Sequence, residues 1–352
     1  MKTDIPTMLL CIIMLLFETG INAQESLQEG FRNPPASARA RTWWHWVDGN
    51  VSREGITADL EAMKEVGIQE VQMFNVGVGF PQGQATYLSP QWMELVKFAA
   101  SESKRLGLEL GFHNCAGWSS SGGPWITPEY AMQEVVYRDT TCMGGCKIDI
   151  HLSQPLIRLN YYRDIAVLAF PKPKSQERIA NLEGKSLSGK IHNHLYPEMI
   201  SVPQSAVISK ENIIDLTSRM DTEGRLIWDV PEGEWTILRI GYTPTTSENR
   251  PAAEGGRGLE CDKMSKKAVD KHWAGGIVPI LKMLGEKNLF TNCVIDSYEV
   301  GTTNWTAGFE QEFYRLRKYD CRPYLPVLAG YYVDGGEISE RFLYDFRQTI
   351  GE

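Results

Sequence analysis

Along residues 42–135 the apolar positions alternate between the period of a strand and the period of a helix. The spacing predicts a strand over 43–47. Ser52 then caps a helix whose apolar face is Ile56, Leu60, Met63 and Val66, and Gly67 ends it. A second strand is expected over 68–76. Ser89 and Pro90 open the next helix, with proline at the first helical position, where its missing N–H is not needed. Trp92, Leu95, Val96, Ala99 and Leu106 line one face of that helix up to Gly107. A third strand over 108–112 delivers His113, Asn114 and Trp118 into a Gly/Ser-rich loop. Strands alternating with helices predict parallel pairing through right-handed crossovers.

The period changes over 135–243. Short β-rich runs at 166–170, 226–230 and 235–242 are separated by charged and Pro/Gly turns, as at Pro231-Glu232-Gly233. This pattern predicts an inserted β-sandwich-like module. Helical spacing resumes near Ser265, made irregular by Gly275, Gly276 and Pro279. A strand is expected over 290–297, a helix over 309–316, a strand over 324–329 and a last helix over 339–350. The expected fold is α/β: an incomplete (β/α)8 TIM-like barrel with about five β/α units, where closure needs eight. The barrel parts are 24–134 and 244–352, the second cut short before closure, so the chain reads as a fragment.

Composition narrows the function. The chain has 352 residues, 42% hydrophobic and 10% aromatic, enough for one large core or two smaller ones. Lys and Arg total 36 against 44 Asp and Glu, a net charge of −8. That balance excludes a basic nucleic-acid surface and favours a neutral or cationic small ligand over a polyanion. Lys2 precedes an apolar run over 8–17, and Ile21-Asn22-Ala23 offers a cleavage site, so 1–23 reads as a secretory signal. The run is too short to span a bilayer. Met8-Leu9-Leu10 also lacks the small residue expected before a lipid-modified Cys11. The mature protein is expected in the periplasm or outside the cell, with no membrane attachment. Six cysteines remain after cleavage: Cys115, Cys142, Cys146, Cys261, Cys293 and Cys321. Cys142 and Cys146, flanking Gly144-Gly145, are the candidate local disulfide. A zinc site joining them to His151 lacks a second ligand pair.

Candidate chemistry gathers where strands end. Trp43-Trp44-His45-Trp46 runs into Asp48, Gly49 and Asn50. Indoles beside His and Asp suit a sugar cleft, since aromatic faces pack on pyranose C–H faces while polar groups bind hydroxyls. The same run also suits a Trp-rich core strand followed by a turn. Other strand-end polar residues are Asn75, then His113 and Asn114, then Asp296 and Glu299, then Asp334 and Glu337. Loops are polar everywhere, but they do not usually carry tryptophans such as Trp118 and Trp125 as well. A carboxylate in Asp296-Ser297-Tyr298-Glu299 suits a base or nucleophile in glycoside hydrolysis. Strand alternation groups Asp296 with Tyr298, so Glu299 reaches the mouth only if the strand has already ended. Glu260 and Asp262, after the Gly255-Gly256-Arg257-Gly258 cluster, suit a hard cation or sugar hydroxyls, without EF-hand spacing. The serines at 119–121 lack the G-x-S-x-G nucleophile elbow.

Taken together, the motifs resemble glycoside hydrolase family 106, the α-L-rhamnosidases. The resemblance rests on Trp43-Trp44-His45-Trp46 with Gly49-Asn50 and on Asp59-Leu60-Glu61-Ala62-Met63-Lys64. Tyr87-Leu88-Ser89-Pro90, Gly117-Trp118-Ser119 and Gly122-Gly123-Pro124-Trp125 continue it. Gly258-Leu259-Glu260, Asp262-Lys263, Asp296-Ser297-Tyr298-Glu299, Asn304-Trp305-Thr306 and Ser339-Glu340-Arg341-Phe342-Leu343 complete it. It implies a (β/α)8 barrel with a β insertion in a longer, exported, calcium-requiring enzyme that removes terminal α-L-rhamnose from plant polysaccharides or glycosides with inversion. It also implies Glu299 as the base, with the acid on a later strand beyond Glu352. His45, Asp48, His113, Asn114, Glu260, Asp262 and Asp296 are expected on sugar hydroxyls or calcium, and Trp118 as a stacking surface. A non-hydrolytic sugar-binding protein, or an inactive truncated relative, is the alternative; oligomeric state is not readable.

Overall fold

Serine hydroxyls start the two helices that flank the second strand. Ser52 Oγ accepts the Gly55 amide ahead of α1 (Arg53–Glu65), and Ser89 Oγ accepts the Trp92 amide ahead of α2 (Pro90–Leu106). Each satisfies an N–H that has no partner within the helix. Gly107 ends α2 in the left-handed region, at φ +67°. The two helices cover one face of the strands β1 (Arg41–Val47), β2 (Glu70–Val76) and β3 (Glu109–His113), which pair in parallel. Ile56, Leu60, Trp92, Val96 and Ala99 pack there on Trp44, Trp46, Val71, Met73, Leu110 and Phe112. Residues 27–188, 201–285 and 289–352 of this computed structural model are described; the leader read over 1–23 lies outside them.

The pleat of β1 divides the tryptophan run, and each reading of it holds for one face. Trp44 and Trp46 are buried against the helices, and Trp44 Nε1 donates to Asp59 at 2.9 Å. Trp43, at 54% exposure, and His45 point to the opposite face, which opens to solvent.

Seven strands follow: β4 (Gln133–Met143), β5 (Cys146–His151), β6 (Arg163–Pro171), β7 (Val207–Ile208), β8 (Ile214–Asp215), β9 (Arg225–Val230) and β10 (Glu234–Pro244). β10 pairs antiparallel with β4 and β6, giving the order β4-β10-β6-β8, while β5 and β9 form a separate antiparallel pair. The turn at Gly144-Gly145 thus sends β4 and β5 to different partners. Cys142 and Cys146 consequently do not form the expected bridge, and all six cysteines from Cys115 to Cys321 are free.

α3 (Lys266–His272) passes through a π-helical turn, Trp273–Ile277, into α4 (Val278–Leu284). Glycine is required within this turn, because the Trp125 ring lies where a Cβ on Gly275 or Gly276 would stand. β11 (Phe290–Val294) then pairs in parallel with β3 and completes a four-stranded sheet in the order β1-β2-β3-β11. Each strand follows its predecessor across this sheet, without the switch in order of a doubly wound fold.

The segment expected as a strand over 324–329 is instead a 3-10 helix, Arg322–Ala329. Pro323 and Pro326 lack the amide donors that a ladder requires. It lies between α5 (Phe309–Arg317) and β12 (Tyr332–Val333), and β12 pairs with β7 rather than with the parallel sheet. Among the described residues the parallel sheet therefore has four strands, not about five. α5 and the final helix α6 (Gly336–Gly351) set Phe313, Phe342, Leu343 and Phe346 against Ile165, Ala166, Leu168 and Ile240 of the antiparallel sheet, in a core of their own. The fold is mixed α/β with parallel and antiparallel sheets. No helix among the described residues is long and apolar enough to cross a membrane.

Phe346 has no exposed surface, so Phe346→Ala is expected to cost about 3–5 kcal/mol in a denaturant titration. A loss below about 1 kcal/mol would mean that α6 is not part of the core.

Candidate active site

The loop after β3 is fastened from several sides. Glu260, with 0% exposure, accepts Ser119 Oγ at 2.9 Å, Ser121 N at 3.2 Å and Ser121 Oγ at 3.1 Å. Lys263 Nζ completes its shell at 2.7 Å. Asn249 Nδ2 donates to the Ala116 carbonyl at 2.8 Å, and the Arg250 carbonyl accepts the amides of Trp118 and Ser119, each at 3.1 Å. At the far end of the loop His272 Nδ1 accepts Gly122 N at 3.3 Å and Trp125 Nε1 at 3.1 Å.

Held in this way, Trp118 clamps the segment that leaves β11. Its carbonyl accepts Ser297 N at 3.1 Å and Ser297 Oγ at 3.2 Å, and its indole Nε1 donates to Glu299 Oε2 at 3.2 Å. β11 ends at Val294, so the condition for Glu299 to reach the mouth is met. His113 Nε2 accepts the Asp296 amide at 3.2 Å while Nδ1 lies 3.1 Å from the Cys115 carbonyl. These partners assign the neutral ring with its proton on Nδ1. Burial holds the His113 pKa below the ordinary histidine value. His113 packs on Phe74 at 4.7 Å between centroids, Phe74 on Trp43 at 5.1 Å, and His45 meets Trp118 edge-on at 6.4 Å.

A cavity of about 960 Å³ opens beside Glu299, lined among others by Glu134, Arg158, Arg250, Lys263 and Tyr298. That volume is at the upper end of the range of small-molecule pockets. A second cavity of about 700 Å³ follows β1 past Trp44, His45, Asn50, Asp59 and Glu94 and does not include Glu299. We place the site in the first, because it contains the clamped carboxylate.

Ring contacts and hydrogen bonds link His45, His113, Trp118, Asp296 and Glu299, and of these Glu299 lines the first cavity. Other expected site residues serve the scaffold. Asp48 Oδ2 accepts the amides of Val78 at 3.1 Å and Phe80 at 2.9 Å, and so caps a turn. Asn114 Nδ2 donates to the Ser120 carbonyl at 2.7 Å within the loop. Asp262 accepts Thr306 Oγ1 at 2.6 Å and Met264 N at 3.0 Å. Glu260 and Asp262 were expected on sugar or calcium, but their oxygens are engaged by protein donors. Burial pushes both carboxyls above the ordinary carboxylate range, with Lys263 opposing it at Glu260 and Thr306 opposing it at Asp262. With the Lys263 ammonium already on Glu260, this pair does not fit a calcium ion. Asn75 faces α2, accepting Trp92 Nε1 at 2.7 Å. Asp334 accepts the Lys210 amide at 2.8 Å and Glu337 pairs with Arg341 at 2.7 Å, both far along the chain on the β12–α6 side.

Sequence reasoning missed Arg158, Arg250 and His272. Arg158 and Arg250 sit in aperiodic loops with no signal to single them out. His272 lies on a helix face, where a histidine reads as ordinary core.

Comparison with known proteins decides the family. The glycoside hydrolase family 106 model, described as alpha-L-rhamnosidase, matches residues 32–179 and 157–352. The chain belongs to glycoside hydrolase family 106. A Formosa agariphila protein named "Putative beta-glucuronidase" is 61% identical over 328 residues, 93% of this chain and 28% of the relative. The structure of a rhamnosidase from Novosphingobium sp. PP1Y superposes with a TM-score of 0.77 at 27% identity, over 92% of this chain and 44% of that one. The chain therefore spans less than half of either relative. Family 106 membership makes it a glycoside-hydrolase-family chain.

Burial lowers the His272 pKa from 6.5 to about 4. Between those values the unfolded chain binds more protons than the fold, so the stability from neutral His272 is complete above 6.5 and is lost as pH falls. The raised Glu260 and Asp262 carboxyls act with the opposite sign, and they cancel when two variants are compared. His272→Gln is accordingly expected to lose less Tm than the parent between about pH 7 and about pH 5. Parallel Tm profiles would show that His272 titrates in the fold as it does in the unfolded chain.

Proposed function

We propose that this chain carries the base-bearing part of the active site of an exported, inverting α-L-rhamnosidase. In this reading the parallel strands are an arc of a (β/α)8 barrel, contributed by 24–134 and 244–352, with 135–243 as the β insertion. One observation carries it: in a family 106 chain, Glu299 stands beyond a strand's C-terminal end, aimed by the Trp118 indole and open to the cavity. Glu299 takes a proton from water as the water oxygen bonds to the anomeric carbon. The glycosidic C–O bond breaks with its electron pair going to the leaving oxygen, which receives a proton from a second carboxyl group. For inversion the two carboxyls stand ~6.5–9.5 Å apart. His45 lies on the face that would meet the sugar ring, with Trp118 as its stacking surface, while the buried His113 positions the Asp296 segment through Nε2.

The name of the Formosa agariphila relative favours a second reading, hydrolysis of a β-glucuronide. Parallel assays of the intact enzyme on aryl α-L-rhamnoside and aryl β-D-glucuronide separate the two. In the intact enzyme Glu299→Gln is expected to lower kcat on the aryl α-L-rhamnoside at least tenfold, and unchanged turnover would remove Glu299 from the mechanism. Trp118→Phe keeps the ring but loses the N–H, and is expected to lower kcat by about tenfold. A change confined to KM would reduce Trp118 to a binding surface.

A further inference from the structure

Arg250 differs from the other cations on the cavity wall. Arg158 Nη1 is paired with Glu134 at 2.7 Å and Lys263 with Glu260 at 2.7 Å. Among the described residues the Arg250 guanidinium has no hydrogen bond or ion pair, and nearby Glu248 is taken by Arg257 at 2.7 Å. Its backbone, by contrast, is fully engaged. The Arg250 amide donates to Ser119 Oγ at 2.7 Å, and its carbonyl holds the amides of Trp118 and Ser119. Gly117, at φ +79°, lets that carbonyl approach, since a Cβ there would stand 2.7 Å from the carbonyl oxygen. The loop that aims Trp118 at Glu299 is therefore the same one that fixes Arg250, whose exposed side chain lines the cavity with guanidinium N–H donors that have no protein partner among the described residues.

We propose that Arg250 anchors an anionic group of the glycan, a uronate carboxylate or a sulfate ester, on the ring beyond the bond that is cleaved. This rests on the rhamnoside reading, in which the cleaved ring is neutral and sits against the negative Glu299. The charge must then belong to its neighbour. A planar guanidinium binds either oxyanion through two parallel N–H bonds. The net charge of −8 does not oppose this, because beyond about 8 Å surface charges are screened at physiological salt. It revises the expectation, drawn from that net charge, of a neutral or cationic ligand.

The test uses the intact enzyme and three α-L-rhamnosyl disaccharides: one ending in glucuronic acid, its uncharged methyl ester, and a sulfated neutral sugar. An aryl α-L-rhamnoside serves as the reference. The acid or the sulfate is expected to exceed the ester in kcat/KM at least tenfold, and whichever exceeds it identifies the anion. Arg250→Gln is expected to bring that ratio close to one. Equal kcat/KM for ester, acid and sulfate in the parent overturns the anchor while aryl rhamnoside turnover leaves the proposed function intact. If no rhamnoside is turned over, calorimetry with D-glucuronate and with D-glucose decides. Binding of glucuronate that Arg250→Gln abolishes supports the anchor, and binding of neither sugar, or of both equally, overturns it.

Discussion

The Glu260 carboxylate, wholly buried, takes hydrogen bonds from Ser119, Ser121 and Lys263, groups on two segments distant in sequence. An unpaired carboxylate at that depth would cost several kcal/mol. The cost is offset only when the loop after β3 and the 260–263 segment are both in place, so the two order together. Trp118 precedes Ser119, and the hold on that serine is what keeps the indole under Glu299. A lysine is well suited to the other side, because its flexible stem brings a point charge to the carboxylate while leaving Tyr298 within 5.2 Å of the ammonium.

That junction joins two cores that otherwise differ in kind. The parallel sheet buries its helix-facing side and leaves Trp43 and His45 on an open face, whereas the antiparallel sheet has its own helical cover in α5 and α6. Contacts such as Val135 N to Asn304 Oδ1 at 2.7 Å and Gln133 N to Thr303 Oγ1 at 3.2 Å tie the start of β4 to the segment after Glu299. The cavity lies along this seam. It takes Glu299 and Tyr298 from one side and Glu134 and Arg158 from the other, so neither sheet alone could form it.

Local signals carried far in this sequence. Ser52, Ser89 and Gly107 announced helix ends, because capping depends on a residue and its near neighbours. The segment 324–329 is not a strand although Leu325, Val327 and Leu328 imitate a buried one, because Pro323 and Pro326 forbid a ladder. The site was legible to the extent that it depends on strand ends: His45, His113, Trp118, Asp296 and Glu299 do meet. Asp48, Asn114, Glu260 and Asp262 could not be sorted in this way. A polar residue at a strand end looks the same whether it meets a ligand or a backbone amide, and only the tertiary arrangement supplies those amides. Arg250 was invisible for the complementary reason, since what marks it is the absence of a partner.

Glu260 and Glu299 make the same point from within the fold. They are chemically identical and stand on either side of one loop, but their surroundings assign them different work. Glu260 has its acceptor capacity filled and no access to water. Glu299 is exposed, and among the described residues it has one donor, the Trp118 indole on Oε2. One oxygen is thereby oriented and the other left for water, the division a hydrolytic base needs. Moving Glu299 into the strand would bury it or turn it from the mouth, and freeing it from Trp118 would let it sample many rotamers. Placement just beyond β11, under a clamp whose own anchor is a buried ion pair, combines reach with restraint.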